Sequence, residues 1–214
     1  MKRPLFKRKV SMMRQATKNR KSKETDITVK LNIDGAGESK INSGIGFLDH
    51  MLELFAFWGH FDLGITTNEA DLKVDIHHTN EDLGIVLGQA FKEALGDKAG
   101  INRLGSMSVP MEDVTASVAV DISGRGSFKL TIGQPPVYAA PQSQDGYDLK
   151  YAEHFFDAFA KQLGMNLNIK IDNPNLDLHA TLEPAFKALG KALDIATQID
   201  PRRKGVPSTK GVID

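Results

Sequence analysis

The sequence carries an internal repeat, and that repeat limits the fold more than any other feature. Phe47-Leu48-Asp49-His50-Met51-Leu52-Glu53-Leu54-Phe55-Ala56 aligns with Tyr151-Ala152-Glu153-His154-Phe155-Phe156-Asp157-Ala158-Phe159-Ala160. Both read aromatic, apolar, acid, His, two apolar, acid, apolar, Phe, Ala. About a hundred residues separate His77 from His179 and Glu81 from Glu183, and Asn32-Ile33-Asp34-Gly35 echoes Asp121-Ile122-Ser123-Gly124. Such self-similarity reads as two copies of one structural unit. Each copy supplies strands, a helix bearing one His, a further strand, and a helix opening on a His…Glu pair.

Periodicity fills in the elements. After Glu81 the apolar residues Leu83, Val86, Leu87, Ala90 and Leu95 recur at three- and four-residue spacing, which predicts a helix. Leu48, Met51, Leu52 and Phe55 predict another, with His50 off its apolar face. Alternation predicts a strand over 26–33, and Asp34–Gly37 a turn of hairpin type. Further strands are expected over 61–67, 71–76, 106–110, 115–122 and 165–171, and helices over 148–160 and from about Thr181 to Ala196. The stretch 133–146, rich in Pro, Gly, Gln and Ser, reads as a loop.

The chemistry concentrates on histidine. Five of the six histidines fall at repeated positions, leaving only His60 outside, and core packing has no use for imidazole at matched sites. On a helix His77 and Glu81 are i,i+4 neighbours, and His78 points about 100° away from His77. His77 and Glu81 can therefore hold one metal ion while His78 faces a second. Imidazole with carboxylate suits zinc, manganese or iron. The absence of cysteine excludes disulfides, thiolate zinc sites and cysteine nucleophiles. A net charge of zero gives no general argument for nucleic acid. No apolar run approaches a membrane span, and none follows the basic start as an export signal would, so a cytoplasmic setting is expected. Residues 1–23 hold ten Lys or Arg and no acid, so they read as a solvated basic arm. The organisation expected is this arm, a first half over 24–104, and a second half over 105–214.

These residues resemble the imidazoleglycerol-phosphate dehydratase family, over roughly Ala16 to Val212. The resemblance rests on Lys23-Glu24-Thr25, Gly46-Phe47-Leu48-Asp49-His50-Met51-Leu52, His77-His78-Thr79-Asn80-Glu81-Asp82, Gly100-Ile101-Asn102-Arg103, Asp121-Ile122-Ser123-Gly124-Arg125, Glu153-His154-Phe155-Phe156 and Pro207-Ser208-Thr209-Lys210-Gly211-Val212. It implies an α+β fold of two duplicated α/β halves, each a mixed four-stranded sheet packed against two helices. It also implies trimers built into a 24-subunit homo-oligomer and two manganese ions per site at subunit boundaries. The reaction implied is dehydration of imidazole glycerol phosphate to imidazole acetol phosphate, in histidine biosynthesis. His50, His77, His78, Glu81, His154, His179 and Glu183 would be metal ligands. Glu24, on the first strand, would move protons, with Glu81 set beside it as a second catalytic carboxylate. Arg103, Arg125, Ser208 and Lys210 would bind the phosphate.

The sequence departs from the family in its second motif, normally His-His-x-x-Glu-Ala-x-Phe-Lys. Here it runs His179-Ala180-Thr181-Leu182-Glu183-Pro184-Ala185-Phe186-Lys187. Ala180 cannot bind a metal. By the symmetry of the repeat, the ion of His77 and Glu81 is the one expected to lose a ligand, leaving one metal position depleted. Pro184 is tolerated near a first turn; a helix with Thr181 as N-cap would leave His179 outside it. Gly126 stands where the family usually has proline, and Glu112-Asp113 reverses its Asp-Glu order. A non-catalytic or altered-activity relative that keeps the fold and assembly is therefore the alternative reading.

Overall fold

The computed structural model describes residues 14–73, 75–133 and 143–213. Alternating side chains build the first sheet. In β2 (Asp26–Asn32), Ile27, Val29 and Leu31 point into the core while Thr28, Lys30 and Asn32 face outward. β2 lies between β1 (Gln15–Lys21) and β4 (Asp62–Glu69), antiparallel to both, and β3 (Ser39–Asn42) runs parallel to β4 on its far side. The second sheet repeats the plan. β6 (Val114–Asp121) lies between β5 (Leu104–Met111) and β10 (Asn166–Asp172), antiparallel to both, and β7 (Ser127–Ile132) is parallel to β10. The orders β1-β2-β4-β3 and β5-β6-β10-β7 are one topology drawn twice.

Four helices complete the described residues: α1 (Gly46–Gly59), α2 (His77–Leu95), α3 (Leu149–Leu163) and α4 (Leu178–Thr197). Each half has its first helix between its third and fourth strands and its second helix after the fourth. The packing exchanges partners between halves. α2 lies on β1 and β2 and is paired chiefly with α3, whereas α4 lies on β5 and β6 and is paired chiefly with α1. Phe55 and Phe61 from the first half meet Phe155, Phe159 and Phe186 from the second in one continuous core. The Phe55 and Phe159 rings touch edge to face across the boundary at 6.1 Å. Burying each such ring is worth about 2–3 kcal/mol. Glycines let the helices approach: a Cβ on Gly88 would lie 2.7 Å from the Phe159 carbonyl oxygen, and one on Gly190 would lie 2.5 Å from that of Phe55. No helix among the described residues is long and apolar enough to cross a membrane.

Several expectations need correcting. Gln15–Lys21, inside the expected basic arm, is strand β1, paired along its whole length with β2. Its inward positions carry Lys18 and Arg20, which reach Glu93 and Asp82 on α2, so an edge strand is fastened by ion pairs where apolar side chains would be expected. Residues 1–13 lie outside the described residues. Asp34–Gly37 does not close a hairpin, because β3 is separated from β2 by β4. The Asp62 carboxylate accepts from the amides of Ala36 and Glu38 and so holds the crossing over the end of β4. Asp71–Lys73 and Asp75–Ile76 are not strand but lead into α2. Residues 143–148 of the region around the expected loop form a short hairpin, β8 (Ser143–Gln144) with β9 (Tyr147–Asp148), while 134–142 lie outside the described residues. α4 begins at Leu178 rather than after Thr181.

Candidate active site

The start of α4 sets the first group. Asp177 is the N-cap, its carboxylate accepting from the His179 amide at 2.9 Å. His179 is therefore helical, contrary to the expectation that it precedes the helix, and its Nε2 stands 2.6 Å from Glu183 Oε2. Pro184 sits inside the helix, a turn beyond the tolerated start. His50 on α1 faces the same carboxylate, with Nε2 3.6 Å from Glu183 Oε2. One ligand atom from each of His50, His179 and Glu183 lies within 4.8 Å of the others. Glu183 is nearly buried, and burial works to raise its pKa. Hydrogen bonds from Lys187 and His179 outweigh this and hold the carboxyl below the ordinary value.

The repeat produces a counterpart with the halves exchanged. His77, at the start of α2, places Nδ1 2.9 Å from His154 Nδ1 on α3, and its Nε2 3.4 Å from Glu81 Oε2. Two imidazole nitrogens that close cannot both present bare lone pairs, so one carries a proton or both face a cation. His77 turns different nitrogens to its two partners, so these three groups form a chain and do not converge on a point. Each group joins one half's lone histidine to the other half's His…Glu pair. Within the chain, the neighbour of His77 is thus His154. Ala180 is buried at 5% exposure.

A third group lies beside the second. His78 Nδ1 is 3.0 Å from Asp71 Oδ2 and 3.7 Å from Glu24 Oε2. The Asp71 hydrogen bond, with the Glu24 charge behind it, raises the imidazole pKa. Glu24 is on the turn between β1 and β2 and not on a strand. Asp71 was missed because 71–76 reads as strand; as loop leading into a helix it would have shown itself an acid within reach. A buried bridge braces this end of the molecule. The Tyr147 hydroxyl donates to Asn80 Oδ1 at 2.9 Å, and Asn80 Nδ2 donates to the Tyr151 carbonyl at 2.7 Å. Phe47 stacks on Tyr147 at 4.9 Å and meets the His179 ring edge-on.

The four residues expected to bind phosphate come together elsewhere. Arg103, Arg125, Ser208 and Lys210 line one small cleft of about 170 Å³, with Ser123 and Thr209 added by the fold. Arg103 is clamped by the Asp121 carboxylate at 2.6 and 3.1 Å, which raises its pKa, and donates to the Pro207 carbonyl at 3.0 Å. That contact draws the tail over the end of β6. His60, the histidine outside the repeat, caps α1 in the left-handed region (φ 56°) and faces Asp194.

On chemistry each exchanged group, two imidazoles and one carboxylate, suits a divalent transition ion, and the ligand atoms converge in the first; those of Glu24, Asp71 and His78 also lie within 4.8 Å of one another. Comparison with known proteins agrees with this architecture. The family model for imidazoleglycerol-phosphate dehydratase matches residues 43–193. Imidazoleglycerol-phosphate dehydratases from Pelobacter propionicus and Methanocella arvoryzae are each 49% identical to the chain, covering 94% of it and 100% of their own lengths. The crystal structure of the Staphylococcus aureus enzyme of that name matches with a TM-score of 0.74 at 32% identity, over 87% of this chain and 99% of its own. The Pyrococcus furiosus structure matches at 0.75 and 34%, over 91% and 99%.

Proposed function

This chain belongs to the imidazoleglycerol-phosphate dehydratase family, and from that premise we propose how its own residues divide the dehydration. The protein is a hydro-lyase of histidine biosynthesis, acting on imidazole glycerol phosphate. The product ketone lies one carbon from the ring-bearing carbon. The hydroxyl on the ring-bearing carbon therefore leaves as water, taking up a proton, while a proton is taken from the neighbouring carbon; the enol so formed loses its hydroxyl proton and gains one on the ring-bearing carbon, which leaves the ketone. Glu24 is the carboxylate that moves the neighbouring carbon's proton, with His78 beside it to steady its charge and relay the proton, and Asp71 holding that imidazole in place. The cleft of Arg103, Arg125, Ser208 and Lys210 receives the phosphate dianion through charge-assisted hydrogen bonds. His50, His179 and Glu183 would hold one divalent ion, and His154, His77 and Glu81 would supply donors to the other once the His77 and His154 rings turn toward it, with Glu81 also proposed as a second catalytic carboxylate. When bound, such ions, manganese by the family resemblance, supply Lewis acidity to the imidazole ring and fix its orientation.

The observation that carries this reading is the exchange of histidines between the halves, which assembles two like donor groups from four helices. The two are unequal, because His78 has no counterpart at Ala180. We further propose a cytoplasmic homo-oligomer of 24 subunits built from trimers; exposed Phe57, Trp58 and Leu104 offer apolar surface for such contacts. The test is turnover of imidazole glycerol phosphate by purified protein with added manganese, together with metal content per subunit and native mass. Turnover with metal bound supports the assignment of residues; metal binding without turnover favours a non-catalytic relative.

A further inference from the structure

The duplication makes each half a control for the other. On α2, Asp82 follows His78 by one turn and is 7% exposed. Its Oδ1 lies 2.7 Å from Arg20 Nε on β1, and its Oδ2 accepts from the Thr25 hydroxyl at 2.5 Å. Thr25 is fully buried and closes the turn that carries Glu24. The Ser22 amide donates to the Thr25 carbonyl at 2.8 Å, and the Ser22 hydroxyl accepts from the amides of Glu24 and Thr25 at 3.0 Å each. Glu24 is thus held between two residues tied to each other and, through Thr25, to the helix bearing His78.

In the second half the equivalent positions are apolar. Val109 pairs with Ala116 as Arg20 pairs with Ile27, so Val109 stands for Arg20. Val114, fully buried like Thr25, stands for Thr25, and Pro184 stands for Asp82. The fold therefore does not require the polar arrangement, since the same molecule holds an apolar version of it. A buried carboxylate is costly to desolvate, and apolar replacement of such a group is often neutral or stabilising. The polar version is kept in the half where Glu24, Asp71 and His78 stand together. Their counterparts in the other half are Asp113, Asn173 and Ala180, and there Asn173 donates to the Asp113 carbonyl, at 3.4 Å.

We propose that Asp82, Thr25 and Arg20 form a positioning cluster that holds the Glu24 turn against His78, so that only the first half is equipped to move the proton. The proposal rests on the reading of Glu24 above. Displacing a reacting group by about 1 Å can cost on the order of a hundredfold in rate.

The experiment installs the second half's own residue, as Thr25→Val, beside Thr25→Ser and Glu24→Gln, in the full metal-loaded protein. For each, kcat, KM, metal per subunit and Tm are measured. The expected result is a ten- to hundredfold fall in kcat for Thr25→Val, measured well below its unfolding temperature, with KM and metal content little changed and Tm lowered by a few degrees because Asp82 loses a donor, and recovery of most of kcat in Thr25→Ser. Full kcat in Thr25→Val, while Glu24→Gln is inactive, overturns the positioning role and leaves the reading of Glu24 standing. Full kcat in Glu24→Gln overturns that reading and the inference with it. A fall in metal content or in Tm that accounts for the lost kcat overturns the inference in favour of a structural role.

Discussion

Replacing Gly84 with alanine drives α2 and α3 apart close to where His77 meets His154. A Cβ at position 84 would lie 2.6 Å from the Phe155 carbonyl oxygen, 3.1 Å from Ala158 Cβ and 3.3 Å from the Phe159 amide nitrogen. Two of these obstacles are backbone and cannot rotate away, so the helices must separate by about 1 Å to reach ordinary contact distance. Overpacking of this kind costs about 1–3 kcal/mol, and the rigid obstacles place it at the upper end. Alanine's better helix propensity returns about 1 kcal/mol. The net loss is about 2 kcal/mol, which for a chain of this size lowers Tm by about 4–8 °C. Because Phe155 follows His154, the same displacement lengthens the 2.9 Å His77–His154 approach and lowers metal content. The assay is thermal unfolding at fixed protein and metal concentration, since assembly and ligand both shift Tm by mass action. Gly46→Ala is the control, because its Cβ would meet nothing within 4 Å. A Gly84→Ala protein as stable as the parent, with equal metal content, would refute the argument that glycine sets the α2–α3 distance.

Other consequences are open to direct measurement. Ala180→His should raise bound manganese per subunit, read by elemental analysis; an unchanged ratio would show that the missing side chain does not limit loading. Because Ala180 is buried and Gln144 accepts from the neighbouring His179 amide at 3.1 Å, a modest fall in Tm should accompany it. Lys210→Ala should raise KM about tenfold with a smaller change in kcat, in keeping with about 1.5–3 kcal/mol for a charged hydrogen bond. An unaltered KM would remove the cleft from substrate binding. Asp34 is held below the ordinary aspartate value of 3.8, first by hydrogen bonds from Arg14. Its folded form thus binds fewer protons than the unfolded chain in that range. The stability it adds is complete above about pH 4 and disappears as pH falls through the lowered value. Asp34→Asn should flatten that part of the acid-unfolding curve, and an identical curve would contradict the assignment.

Much of the fold was legible because its signals are local. The alternation of β2 and β6 and the helical spacing of α1, α2 and α3 each lie within one stretch of chain. β1 was not legible, since two of its three inward positions are Lys18 and Arg20, whose partners are acids sixty or more residues away on α2, and the third is the small Ala16. β3 is four residues long and largely exposed, and so carries little pattern. β7 was not among the expected strands, although Phe128, Leu130 and Ile132 alternate in the sequence and take its half-buried positions. The start of α4 was misplaced by giving Thr181 the capping role that Asp177 fills; Thr181 instead accepts from the Asn175 amide at 2.9 Å.

By itself the sequence determined the duplication, the positions of the histidines and the i,i+4 pairing of each with its glutamate, because these follow from spacing along one element. Only the tertiary structure decided which histidines share a group. α1 pairs with α4 and α2 with α3, so His50 joins His179 and His154 joins His77 across the halves. That choice depends on core packing and on glycines that admit backbone at 84, 88 and 190, contacts between residues whose separation in sequence says nothing of their distance in space.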